Sequence, residues 1–280
     1  MGCVTGHVAA NGSGPTTVRA WRPAVPGVTE VFHARFTDHA YPAHTHQDWT
    51  VLIVDDGAVR YDLDRREHGA LSSMITLLPP HVAHDGRSAV RGGFRKRVIY
   101  LDRSVIGEEL IGRSVDHPEL VDPLLRHRIG QLHTTLATPG EELQAQSRLA
   151  LITERLQDHL RQRSAEPPPR RRDQPIALRL RDLLDEHLVD GLDLDRAAAD
   201  LGVTTAYLIR AFSSGFGLPP HRYLTGRRVE RARRLLLDGV PIAEAAVASG
   251  FYDQAHLSRH LQNMINTTPG RYRRSGIRIG

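Results

Sequence analysis

Histidine carries most of the metal-binding and acid–base potential of this 280-residue chain, and it recurs at two sets of telling spacings. In GFYDQAHLSRHL, residues 250–261, His256 and His260 lie four apart. On a helix they would stand one above the other, where two imidazoles can share a metal ion. No Glu and no third ligand accompany that pair. Earlier in the chain, His44 and His46 stand in HTHQDW, and His81 and His84 in PPHVAHDG. The positions three to five beyond His46 are Trp49, Thr50 and Val51, none of them a hard-metal ligand, with Asp48 as the nearest substitute. The ligand set is therefore incomplete in both places.

The elements around the first histidine group are strands. WTVLIVDDGAVRYDLD, residues 49–64, places two runs of β-forming residues around Asp55-Asp56-Gly57, a hairpin signal. SMITLLPPHVAHDG and FRKRVIYLD add further short strands between proline and glycine turns. Closely spaced strands without intervening helices favour an antiparallel sandwich or barrel, whose interior can hold a small ligand. This portion, about residues 20–105, resembles a cupin, which implies a barrel with an HxH pair and a later histidine at its mouth. His44, His46, Trp49, His81 and His84 are the expected ligand-lining residues. His44, His46 and His84 are the ones that would form a metal site, although no metal and no cofactor are expected.

Composition limits the alternatives. The single cysteine, Cys3, cannot build a disulfide framework, and no apolar run of membrane-spanning length exists, so a cytoplasmic protein is expected. Residues 1–17 lack a signal-peptide pattern and read as a disordered tail. SAEPPPRRRDQP, residues 164–175, cannot continue a helix or build a core and reads as a linker. Just before it, EELQAQSRLALITERLQDHLRQR sets Leu149, Ile152, Leu156 and Leu160 on one helical stripe, which either packs on its own domain or dimerises. The net charge is +5, and all of it lies beyond residue 165. A neutral domain followed by a basic, arginine-rich module suits nucleic acid, and on charge alone it equally suits a solvated basic face. Lys96 is the only lysine.

The C-terminal part contains an internal repeat. Ala198 and Gly202 recur 48 residues later as Ala246 and Gly250; Leu208, Arg210, Pro220 and Tyr223 recur 49 later as Leu257, Arg259, Pro269 and Tyr272. Each copy reads as a short helix, a glycine turn and a second helix capped by Thr204 or Asp253, a helix-turn-helix. With Leu208, Phe212, Leu257 and Leu261 inward, Thr205, Ala206, Ile209, Arg210, Gln254, Ala255, Ser258 and Arg259 turn outward. These faces hold small residues and one arginine each, and can enter a major groove. PPHRYLTGRRVERARRLLLDG, residues 219–239, reads as a long connecting helix that would hold the two recognition helices about one duplex turn, roughly 34 Å, apart.

Residues 176–275 resemble the DNA-binding domain of AraC/XylS-type transcriptional regulators. The resemblance rests on DLDRAAADLGVTTAYLIRAFSSGFGLPPHRYL, on RVERARRLLLDG and on PIAEAAVASGFYDQAHLSRHLQNMINTTPGRYRR, with its closing Pro-x-x-Tyr-Arg. Two positions depart from the pattern: Asn266 where glycine is usual, and Leu261 in place of an aromatic. The resemblance implies small-molecule sensing by the N-terminal domain, promoter DNA and RNA polymerase as partners, and often a homodimer. It also makes Ala206, Ile209, Arg210, Gln254, Ala255, Ser258 and Arg259 base-facing, and the chemistry of Thr204, Thr205 and Tyr207 makes them phosphate candidates. The expected organisation is multidomain α+β: tail 1–17, cupin-like β-barrel 18–110, helical and suited to dimerisation 111–163, linker 164–175, double helix-turn-helix 176–276. The expected function is a DNA-binding transcriptional regulator, not an enzyme. The alternative is a metal-dependent cupin enzyme or metal sensor with a helical association domain.

Overall fold

The computed structural model describes residues 16–162 and 174–276. Most of the expected tail and linker lies outside the described residues. Strand β1 (Thr17–Trp21) starts inside the expected tail, and a helix at Gln174–Glu186 starts inside the expected linker. Eight strands follow β1: β2 (Val28–Phe36), β3 (Ala40–His44), β4 (Trp49–Gly57), β5 (Val59–Leu63), β6 (Arg66–Ala70), β7 (Ile75–Leu78), β8 (His84–Ser88) and β9 (Phe94–Leu101). Then come α1 (Arg103–Ile106), a 3-10 turn at Glu108–Leu110, α2 (Ile111–Asp116), β10 (Glu119–Leu120), α3 (Pro123–Leu136) and α4 (Glu142–Gln162).

The strands form two antiparallel sheets, β1-β2-β9-β4-β7-β10 and β3-β8-β5-β6. The larger sheet is covered on both faces, which is why every residue of Trp49–Val54 is buried. Side chains alternate across a strand. Leu52 and Val54 of β4 join Phe32, Val98, Tyr61 and Leu63 in the core between the sheets, while Trp49, Val51 and Ile53 pack with α3 and α4 on the opposite face. Leu149, Ile152, Leu156 and Leu160 of α4 are buried in that second core, within their own domain.

The hairpin expected at Asp55-Asp56-Gly57 does not form. Strand β4 pairs with β9 and β7, and β5 pairs with β6 and β8, so the chain passes from one sheet to the other after Gly57. Gly57, at φ +75°, passes so near the adjoining turn that a Cβ there would lie 2.3 Å from the Gly93 carbonyl oxygen. The tight hairpin is β5–β6, where Asp64 and Arg65 both take positive φ, as a two-residue type I′ turn requires.

The C-terminal domain is all helical: α5 (Gln174–Glu186), α6 (Leu194–Asp200), α7 (Thr205–Phe216), α8 (Pro220–Leu237), α9 (Ile242–Ala248), α10 (Gln254–Ile265) and α11 (Pro269–Ser275). Thr204 accepts the Tyr207 N–H, and Asp253 accepts the His256 N–H, so α7 and α10 both carry the expected caps. Gly217 (φ +73°) and Asn266 (φ +50°) end them in the left-handed conformation, so asparagine serves where its sister copy has glycine. The first helix-turn-helix has its own core around Leu208, Phe212 and Tyr223. The second is continuous with the core between the sheets, through Val229, Ala232, Leu257, Leu261 and Tyr272. No helix among the described residues is long and apolar enough to cross a membrane.

Candidate functional site

A cavity lies between the two sheets and is roofed by α8 and the end of α10, where Gly226, Val229, Glu230, Arg233, Met264 and Ile265 face it. Its internal volume is about 50 Å³. At ~10–15 Å³ per water, that holds a few waters and no drug-sized molecule.

The cavity is polar at one end. His44, at the end of β3, pairs across the ladder with His84 at the start of β8, and His46 follows in the β3–β4 loop. All three are buried, with ring centroids 4.5–5.1 Å apart. Burial lowers all three pKa values, His84 to about 4 and the other two well below their usual range, so the imidazoles are neutral at pH 7. Among the described residues, the buried hydroxyls of Tyr41, Thr45 and Thr50 on the cavity wall have no hydrogen-bond partner. Buried polar groups are normally paired, so these hydroxyls are open to a partner in the cavity.

Lys96 sits among them. Strand β9 directs Lys96, Val98 and Tyr100 inward and the neighbouring Arg95 and Arg97 away. The ammonium lies 4.0 Å from the Tyr41 ring centroid and 5.9 Å from that of Phe32. No carboxylate pairs with it among the described residues. Burial, followed by the charge of Arg233, pushes its pKa down to about 7.

Arg233 of α8 ties the roof to the barrel. It donates to Glu30 of β2 at 2.5 Å and to the Tyr272 hydroxyl at 2.9 Å, and Tyr272 donates to Glu30 at 2.5 Å. Nearby, the Gln47 N–H donates to Glu230, and Arg234 faces Asp48 at 3.4 Å. At the other end of the interface, Arg65 of the β5–β6 turn donates to the carbonyls of Ser213 and Ser214 at the end of α7.

Of the residues expected to line a pocket, the structure thus brings together His44, His46 and His84 and not the other two. Trp49 is turned by strand parity to the helix-covered face, where its exposure is 0%. His81 is outside the cavity, in the turn before β8, at φ +63°. Sequence reasoning missed Lys96, Tyr41, Thr45 and Arg233. The signal available was that Lys96 is the sole lysine of a chain otherwise using arginine.

The residues expected to face DNA lie on α7 and α10 and at the cap of α7. Ala206, Arg210, Gln254, Ala255 and Arg259 are exposed, and Thr204 is the cap of α7. Ile209 and Ser258 are partly covered, Ser258 donating to the Gln254 carbonyl; Thr205 donates to Asp195 at 2.6 Å, which ties that hydroxyl within the domain. Tyr252, just before α10, is 89% exposed and was not singled out from sequence. His256 and His260 pack their rings on Phe251 and on each other. No third ligand joins them among the described residues, where the group of three side chains that could hold a metal ion is His44, His46 and His84.

Two family models match the chain: an AraC-like ligand binding domain over residues 26–153 and a helix-turn-helix domain over 197–275. The transcriptional activator NphR of Rhodococcus sp is 26% identical over 251 residues, covering 84% of this chain and 72% of NphR. The regulator MtrA of Neisseria gonorrhoeae is 30% identical over 89 residues, 31% of this chain and 29% of MtrA. Among solved structures, ToxT from Vibrio cholerae O395 matches with a TM-score of 0.56 at 15% identity, covering 93% of this chain and 97% of ToxT. ToxT bound to an unsaturated fatty acid matches with a TM-score of 0.54 at 13% identity, covering 92% and 94%. The chain belongs to the AraC family of transcriptional regulators, with an N-terminal ligand-binding domain and a C-terminal DNA-binding domain.

Proposed function

We infer that this regulator senses a small organic anion in the cavity between its sheets, and that the occupant changes how the helical domain is held. Lys96 carries the reading: a cation without an acidic partner, set against aromatic rings, in an apolar cavity whose roof belongs to the DNA-binding domain. An anion supplies the missing counter-charge, the unpartnered hydroxyls of Tyr41, Thr45 and Thr50 supply donors, and Leu52, Val59, Leu78 and Val98 receive an apolar body. A fatty acid, the occupant of one ToxT structure, is one molecule of that class.

Arg210 and Arg259 are the base or phosphate contacts, Gln254 pairs with adenine, and Ala206 and Ala255 meet thymine methyls. Thr204, Thr205, Ile209 and Ser258 flank them. Exposed Val121, Leu124, Leu143 and Leu151, on and beside α3 and α4, suit a homodimer contact. The role is regulation of promoters in the cytoplasm together with RNA polymerase, and not catalysis. The test is calorimetry of the full chain against a panel of straight-chain and aromatic carboxylates and their methyl esters. An acid should bind and its ester should not, and Lys96→Met should weaken the acid by about 10- to 100-fold, the worth of a buried charge-assisted contact. Equal binding of acid and ester refutes the reading.

A further inference from the structure

We propose that His44, His46 and His84 together hold one late first-row divalent metal ion, with its remaining coordination positions open to the cavity. The three side chains come from the end of β3, the following loop and the start of β8, and one nitrogen from each lies within 4.8 Å of the other two. Nitrogens ~2.0–2.1 Å from a tetrahedral ion stand about 3.3 Å apart, so the rings need to close by roughly 1.5 Å or less. Small side-chain rotations cover that distance.

Two of the imidazoles are already turned for the task. The His44 Nδ1–H donates to the Pro42 carbonyl at 2.7 Å, and the His84 Nδ1–H donates to the Val82 carbonyl at 3.1 Å. A carbonyl only accepts, so each Nδ1 carries the proton and each Nε2 presents a lone pair. A hydrogen bond behind the ring that fixes the tautomer and orientation is what metal-ligating histidines have.

Among the described residues no carboxylate completes the set. Glu230 is occupied by Arg227, Arg234 and the Gln47 N–H, Asp48 by Thr29 and Arg234, and Asp85 by the Asp62 N–H. Three neutral nitrogens without thiolate or carboxylate select zinc, nickel, copper or cobalt over magnesium or calcium. The charge of Arg233 is matched by Glu30, which leaves Lys96 as the unpaired cation on the cavity wall. An anionic donor on the open positions of the ion would lie between metal and ammonium. The metal site itself does not depend on the identity of the effector.

The test is titration of the untagged full chain, stripped with chelator, with cobalt(II), followed by its visible absorption and by metal analysis after dialysis. One equivalent should bind. His44→Ala and His84→Ala should each weaken binding by at least about 100-fold, beyond the ~10- to 100-fold lost when only the partner behind a ligand is removed. His81→Ala and the pair His256→Ala with His260→Ala should leave it unchanged, and circular dichroism checks that each variant folds. The proposal is overturned if the wild-type chain gives no absorption at stoichiometric cobalt, or if the signal is lost with His256 and His260. Cobalt uptake by a chain that binds no carboxylate would sink the effector reading alone.

Discussion

Replacement of Glu30 by alanine tests how the two domains are held together. Glu30 and Arg233 are 7% and 5% exposed, and Arg233 has no other acidic partner among the described residues. Opposite charges ~4 Å apart at an effective dielectric near 20 attract by about 4 kcal/mol. Removing one member of a buried pair costs about 3–5 kcal/mol, because the other charge stays desolvated. Arg233 can escape that cost only by reaching water, which requires α8 to lift from the barrel. Glu30→Ala should therefore appear first as an opening of the interface and only then as loss of either core. Hydrogen exchange should accelerate along α8 and α11, where Arg233 and Tyr272 sit, and remain unchanged in α3 and α4. In a double-mutant cycle, Glu30→Gln with Arg233→Met should recover most of the stability lost in either single variant, with a coupling above about 2 kcal/mol. A coupling below about 0.5 kcal/mol, or unchanged exchange at α8 in Glu30→Ala, refutes the reasoning.

Three further outcomes follow from single residues. His33, whose Nε2 lies 3.1 Å from Nδ1 of His133, has its pKa lowered to about 4 by burial and then by Arg97 and Arg19, against Asp55. The unfolded chain protonates near 6.5 and the native one near 4, so stability is full above 6.5 and falls between those values as pH drops. At 1.4 kcal/mol per unit this residue removes about 2 kcal/mol between pH 7 and 5, and urea unfolding of His33→Gln should show that much less acid sensitivity. Asn266→Ala should lower stability by about 1–2 kcal/mol through its left-handed backbone, while Asn266→Gly should hold or raise it, read from thermal unfolding. Arg210→Ala and Arg259→Ala should each weaken binding to duplexes selected from a random library and lower the salt slope by about one, measured by anisotropy from low to moderate salt.

The helical domain was legible because its signals are local and occur twice. A cap at Thr204 and another at Asp253, a glycine stop, and leucines at helical spacing fix each helix without reference to distant chain. The pairing of strands was not legible in that way. Asp55-Asp56-Gly57 has the composition of a turn, yet its conformation is set by the approach of Gly93, a contact 36 positions away in sequence. The true type I′ turn, Asp64-Arg65, lacks the glycine that would have announced it. Lys96 was hidden for a different reason. FRKRVIYL places three basic residues in succession, and charge gives no alternation from which to read the inward side; Phe94, Val98 and Tyr100 give it once the parity of the strand is known. Trp49 went astray by the same parity, adjacent to the histidines in sequence and on the opposite face in space.

The size of the cavity bears on how the two halves communicate. A space of about 50 Å³ cannot take an effector of ordinary size while α8 stays where it is. Either the effector is only a few atoms, or its entry moves a wall, and the roof is the wall that belongs to the other domain. A ligand shifts an equilibrium only by its difference in affinity for the two states. Passing from 1:99 to 99:1 needs about 5.5 kcal/mol of difference. The roof is held by one buried ion pair, several half-exposed polar contacts and the apolar contacts of Val229, Met264 and Ile265. An anion that pairs with Lys96 and buries an apolar body offers energies of that order. A carboxylate series of increasing chain length separates the two cases: short acids should bind without changing hydrogen exchange at α8, and longer acids should bind only as that exchange rises. Long acids that bind tightly while α8 stays protected would mean that the smaller sheet moves instead, and would break the proposed coupling between effector and DNA-binding domain.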